Sequence, residues 1–272
     1  MIIHQCQQGS EEWLQLRLGI PTASEFSNII QPEFGRNYHC PACGADDNKA
    51  RKFCAACKAP VQIIEAAKPS ASAPKYMARC LAEWMAGVPL DVFEDQPPIR
   101  GWRERGKLLE PEAIRYYEME RDCETHAVGF ITSDDGMIGA SPDRLVGDVG
   151  LLEQKCPALE THVGYMLDPG SLVAEYRLQV QGQLWVCQRE WCDMQSYYPG
   201  FPSVIVRVQR DDKVIEALEK HVPAFVQTML ACRDKLTAMY GELRRERLRP
   251  DPVEASRAAF DDYMESGIGG NA

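Results

Sequence analysis

The chain has 272 residues, 45% of them hydrophobic and 26% charged, which suits one globular domain or one domain carrying an inserted module. No apolar run approaches the ~20 residues needed to span a bilayer, and Met1 to Trp13 lack a basic stretch followed by an apolar one, so a membrane anchor and a signal peptide are not expected and the reading is cytoplasmic. The net charge of −10 disfavours a general nucleic-acid coat protein, whose binding rests on many Lys and Arg contacts, but it is compatible with a carboxylate-rich metal site.

Ser10 followed by Glu11, Glu12 and Trp13 starts a helix, and Pro21 ends that pattern before a second short helix that Thr22 or Ser24 can cap. Residues 32–60 are rich in Cys, Pro, Gly and Asn and have no hydrophobic period, and 66–74 read as a linker. Helices are predicted over 75–86 and over 103–121, the second interrupted at Pro111, which should either kink it or begin its second part. Residues 125–132 are strand-like, and two short apolar segments, 137–146 and 150–156, flank the turn residues 147–150 as a hairpin would. A helix over 172–188, strands over 193–198 and 203–209, and a helix from Asp212 to about Arg247 with a break at Pro223 complete the pattern. This order predicts an α/β (α+β) domain with one central mixed sheet flanked by helices. The expected organisation is a main domain over 1–31 and 75–248, an inserted module with its linker over 32–74, and a polar tail over 249–272.

The chemistry concentrates in Ser141-Pro142-Asp143 and Glu153-Gln154-Lys155. Alternate residues of a strand share a face, so Glu153 and Lys155 project together, and the turn at 147–150 brings Asp143 close to register with Glu153. Two carboxylates and an amine then meet at one point. Such a set suits metal-assisted phosphodiester hydrolysis: Asp143, Glu153 and the Gln154 carbonyl offer oxygen ligands to Mg²⁺ (or Mn²⁺). Lys155 would orient or deprotonate the attacking water, its own pKa lowered by desolvation beside the metal, and would stabilise the transition state.

A second constellation is Cys40-x2-Cys43-x10-Cys54-x2-Cys57, the spacing of two thiolate pairs that clamp one structural Zn²⁺. Its surroundings hold too few apolar residues for a core of their own, so metal binding would fold them. Arg36, Lys49, Arg51, Lys52 and Lys58 could let this module grip DNA; a protein-binding role stays equally open. The other seven cysteines of the eleven read as buried thiols, because an odd count is unlike a disulfide scaffold.

In five places, in order, the sequence resembles the lambda exonuclease and YqaJ family of viral recombinases. These are Leu16-Arg17-Leu18-Gly19 with Thr22-Ala23-Ser24-Glu25; Gly106-Lys107 with Glu110; Ser141-Pro142-Asp143; Leu152 to Pro157; and Gln179-Val180-Gln181 with Leu184-Trp185-Val186. The resemblance implies a restriction-endonuclease-like core with a PD-(D/E)xK site in which Asp143, Glu153 and Lys155 are catalytic. It also implies that Glu110 lies near the metals, that Gln179 sits beside the active site, and that Arg17, Ser24 and Ser141 bind the terminal 5′-phosphate of DNA. Double-stranded DNA ends as substrate, 5′ to 3′ polarity, a 3′ overhang for a single-strand annealing protein and a homotrimer are further implications of the resemblance. The four-cysteine module departs from the family pattern. Two other readings stay open: an endonuclease or opposite-polarity nuclease with the same core, and a non-catalytic zinc-containing adaptor that binds DNA.

Overall fold

The computed structural model describes residues 1–31, 35–47, 51–90 and 99–241. The expected tail over 249–272 and Lys49 lie outside the described residues, as does the side chain of Arg36.

The fold is organised by β9 (Gly150–Lys155), a strand buried along nearly its whole length. It lies at the centre of a five-stranded sheet between β8 (Arg144–Val146) and β10 (Trp191–Ser196), with β5 (Thr125–Ala127) and β11 (Val204–Gln209) at the edges. β8 and β9 are the two arms of the expected hairpin, paired Arg144 to Leu152 and Val146 to Gly150. β9 and β10 run parallel, whereas the other pairs are antiparallel, so the sheet is mixed. Parallel neighbours need a long crossover, supplied here by α4 (Leu159–Leu167), α5 (Pro169–Glu175) and α6 (Arg177–Val186).

Alternation along β9 assigns its two faces. Leu151 joins the main core with Leu178, Val180 and Leu184 of α6 and with α7 (Asp212–Tyr240). Leu152 packs on the opposite face against Tyr117 of α3 (Ile99–Arg121). Burying apolar side chains of this size stabilises by about 1.5–3 kcal/mol each. Glu153 and Lys155 therefore face α6, and Gln154 faces α3.

Around this body lie α1 (Glu11–Arg17), a 3₁₀ helix (Ala23–Asn28), α2 (Ala73–Ala86) and a small sheet of β1 (Ile2–His4), β6 (Phe130–Thr132) and β7 (Gly139–Ala140). Ser10 caps α1 by accepting from the Trp13 N–H, as its position predicts. Gly182 lets α6 press on the 3₁₀ helix, since a Cβ there would stand 2.5 Å from the Phe26 ring.

Four helical expectations need correction. The helix expected over 172–188 is two helices that meet at Tyr176, and α4 precedes them unforeseen; Asp168 and Pro169 together start α5, the aspartate accepting from the Gly170 N–H. Pro223 does not break α7, and Pro111 lies within a continuous α3. An interior proline costs about 3 kcal/mol, but the buried stripe Val214, Leu218, Val222, Phe225, Val226 and Met229 continues across Pro223 and outweighs it. The helix expected from 75 begins at Ala73.

The cysteine-rich segment forms a separate three-stranded sheet in which β2 (Gly35–His39) lies between β3 (Asp46–Asp47) and β4 (Gln62–Ala66). It leaves and rejoins the main body at one place. The Gln31 N–H donates to the Lys68 carbonyl at 2.8 Å and the Ser70 N–H to the Ile29 carbonyl at 2.9 Å, with Ile30 bridged to Pro69. The expected linker over 66–74 is thus partly the return leg of this neck.

Candidate active site

Asp143 precedes β8, and continuing the ladder register sets it opposite Glu153. Its Oδ2 accepts from the Gln154 N–H at 2.5 Å. A strand residue's N–H and C=O project to the same edge, so the Gln154 carbonyl also points towards the Asp143 side. The Gln154 side chain turns the other way and donates to Gln195 Oε1 at 2.6 Å.

Glu153 is buried, 3% exposed, and both of its oxygens are held. Oε1 accepts from Lys155 Nζ at 2.7 Å and from Gln179 Nε2 at 2.5 Å, and Oε2 accepts from Gln183 Nε2 at 2.7 Å. Lys155 Nζ lies 4.4 Å from the centre of the Tyr176 ring. Glu110 approaches from α3. Burial pushes its carboxyl above the usual range, and Arg144 opposes this while Glu153 adds to it. Desolvation, reinforced by the charge of Glu153, pushes the Asp143 carboxyl well up, against the pull of Lys155. Crowded carboxylates of this kind are hard oxygen donors whose repulsion a divalent cation would relieve, so the residues present fit such an ion.

Opposing influences act on Lys155. Desolvation lowers its pKa, but Glu153 and Asp143 outweigh that and hold the ammonium above its ordinary range.

Of the residues matched to phosphate binding, two are joined through Trp13. The Arg17 guanidinium stacks 4.2 Å from the centre of the Trp13 ring system, and Trp13 Nε1 donates to Ser141 Oγ at 2.8 Å. Ser141 Oγ donates in turn to the Gly129 carbonyl at 3.0 Å, so its single proton is committed there. Ser24 is exposed at the start of the 3₁₀ helix, its hydroxyl 3.3 Å from that of Thr22, and Thr22 is bridged to Gly139 two residues before Ser141.

Sequence reasoning overlooked Gln183, Trp13 and Gln8, which donates to the carbonyls of Val128 and Pro142 and ties the chain start to the Asp143 loop. Gln183 lies four residues after Gln179 and on the same helix face, but its partner Glu153 is 30 residues away in the chain. Gln181 lies on another face and bridges the Gln209 carbonyl and the Asp211 N–H.

The four cysteines converge. Cys40 and Cys57 sulfurs are 3.4 Å apart, Cys43 and Cys54 sulfurs 3.6 Å, and all four lie within 4.8 Å of one another. Disulfides would need about 2.05 Å, whereas thiolates around one zinc at about 2.3 Å stand about 3.8 Å apart. Each pair ends in a left-handed residue, Gly44 or Lys58, whose N–H donates back to Cys40 or Cys54. The N–H groups of Cys57 and Ala56 hold the Cys54 thiol down to about 6. The Ala45 N–H pulls Cys43 down, but the three neighbouring sulfurs outweigh it and push that thiol up to about 12. A cation among the sulfurs removes the conflict.

The YqaJ-like viral recombinase domain matches residues 12–190, which include Asp143, Glu153, Lys155 and the four cysteines. The chain belongs to this family. It is similar in structure to an alkaline exonuclease, LHK-Exo, from Laribacter hongkongensis, at 29% identity and a TM-score of 0.63, over 86% of this chain and 100% of that one. LHK-Exo solved with dAMP gives the same values. No curated protein sequence matches. Among the described residues, no helix of this YqaJ-family chain is long and apolar enough to cross a membrane.

Proposed function

We propose that this YqaJ-family protein is a divalent-metal-dependent DNA exonuclease that digests one strand of linear duplex DNA, 5′ to 3′, leaving a 3′ single-stranded overhang for an annealing partner. The observation that carries the reading is the convergence of Asp143, Glu153 and Lys155 at the open end of the β8–β9 hairpin, with Glu110 near enough for its carboxyl to feel the charge of Glu153. A binding module has no use for carboxylates clustered where phosphate must approach. The similarity to LHK-Exo, itself an alkaline exonuclease, supports exonuclease over endonuclease action.

Asp143, Glu153, Glu110 and the Gln154 carbonyl would hold Mg²⁺ or Mn²⁺. When bound, the ion supplies an activated water and neutralises phosphate charge. The protein's own part is positional. Asp143 is fixed by the Gln154 N–H, and Glu153 by Lys155, Gln179 and Gln183. The Lys155 ammonium sits where it can donate to a phosphate oxygen and stabilise charge developing in the transition state. Cys40, Cys43, Cys54 and Cys57 would hold a structural zinc in a separate module inserted over 32–74. A ring-shaped homotrimer would keep the enzyme on its substrate.

The test is digestion of a linear duplex labelled at either end. Release from the 5′ end first, with the 3′ strand left intact, is expected; internal cuts or release from the 3′ end would overturn the assignment. The same assay probes Arg17, whose guanidinium can grip a phosphate bidentately. A 5′-phosphorylated duplex should be degraded about tenfold faster than a 5′-hydroxyl one, and Arg17→Ala should remove the difference. Equal wild-type rates on the two ends would exclude a phosphate pocket at this residue.

A further inference from the structure

From the amide arrangement above Glu153 we infer that Gln183 is a positioning residue for the nuclease reaction, setting the orientation in which Glu153 presents its carboxylate to the metal. The inference rests on the metal-nuclease reading of the site. Two glutamines on successive turns of α6 reach the same carboxylate, but each takes a different oxygen: Gln179 donates to Oε1 and Gln183 to Oε2. One donor alone would let the carboxylate rotate about its last bond; two donors on separate oxygens, with Lys155 on the first, fix its plane.

The two amides are not equivalent. Gln179 also meets Lys155, which approaches its Oε1 at 3.5 Å. Gln183 is 1% exposed, and its Oε1 is buried with no hydrogen-bond partner among the described residues. Its bond to Glu153 is the polar contact the structure gives its side chain. A buried amide that leaves its oxygen orphaned is unfavourable for folding alone, and an apolar side chain of the same length would fill the space without that defect. The amide is accounted for by what its N–H does, which is to hold a metal-facing carboxylate in place. Outer-shell partners of this kind tune metal affinity and activity by roughly 10–100-fold.

Gln181, two residues away on the same helix, supplies the contrast. It is equally buried, but both ends of its amide are used to join α6 to the start of α7, through the Gln209 carbonyl and the Asp211 N–H. It is a structural glutamine, with no hydrogen bond to Glu153 among the described residues.

The experiment compares wild type, Gln183→Met, Gln183→Asn and Gln181→Met in the full chain. Mn²⁺ binding is measured by calorimetry without DNA, and kcat and KM by degradation of a linear duplex. Gln183→Met keeps the length of the side chain and removes its donor. It should weaken Mn²⁺ binding and lower kcat, each by about tenfold or more, with KM for duplex unchanged. Gln183→Asn withdraws the amide by one methylene and should fall between; it carries the test if Gln183→Met does not fold. Gln181→Met should lower the melting temperature while retaining wild-type Mn²⁺ affinity. Folded Gln183 variants with Mn²⁺ affinity and kcat within twofold of wild type would overturn the positioning role and leave the nuclease reading standing. A wild type that neither binds Mn²⁺ nor degrades duplex would overturn both.

Discussion

Glu153→Gln and Lys155→Ala are each expected to lower Mg²⁺-dependent DNA hydrolysis by about 10³-fold, the scale on which removal of a single catalytic group acts. Neither should unfold the protein. A glutamine at 153 can set its oxygen towards Lys155 and Gln179 and its NH₂ towards Gln183, whose amide can turn over and offer the oxygen that otherwise lacks a partner. The melting temperature should therefore shift by only a few degrees, about 2–4 °C for each kcal/mol in a domain of this size. Lys155→Ala removes the charge that faces Glu153 and Asp143, so the carboxylates remain but the phosphate loses its cationic contact. Initial rates on labelled duplex at saturating Mg²⁺, with melting curves on the same preparations, check both. Near wild-type hydrolysis by either folded variant would remove these residues from the chemistry.

The second large effect concerns the cysteines. Purified protein should contain about one zinc per chain, and Cys54→Ser/Cys57→Ser should lose it. Structural zinc contributes about 10–16 kcal/mol to small modules that have no core of their own. The double variant should lose hydrogen-exchange protection across β2 and β4 while the sheet built on β9 keeps its protection. A closed four-thiolate site has no open position for water, so hydrolysis of a short oligonucleotide at saturation should stay within about twofold of wild type. Binding to long duplex or to a partner protein should weaken. Metal analysis finding no zinc, together with four reactive thiols, would defeat the assignment. Loss of chemistry at saturation with the β9 sheet intact would show instead that the module shapes the active site.

Much of the site was legible because its residues are local. Asp143, Glu153 and Lys155 lie on one hairpin, where the period of two and a recognisable turn determine which side chains meet. The cysteines were legible for the same reason, since two knuckles of fixed spacing hold all four ligands. What escaped depends on packing between distant segments. Gln183 acquires its partner only when α6 crosses β9, and Trp13 meets Ser141 across 128 residues of chain. The strands of the cysteine module carry no apolar period in the sequence, and what ties them together is backbone pairing and the sulfur cluster. Pro223 misleads in the opposite sense, for a strong local breaker is overruled by a buried stripe that runs past it.

The neck joining Gln31 to Lys68 and Ile29 to Ser70 also makes the four-cysteine module an exchangeable part. Its two ends are already hydrogen-bonded partners, so a tight turn of a few residues can connect them without pulling on the 3₁₀ helix or α2. Loop-closure entropy grows only logarithmically with length, which makes a long excursion between such ends little costlier than a short one. Lineages can thus gain, lose or replace a module at this joint while the nuclease body stays unaltered, and a protein engineer can graft a different DNA- or protein-binding unit at the same seam.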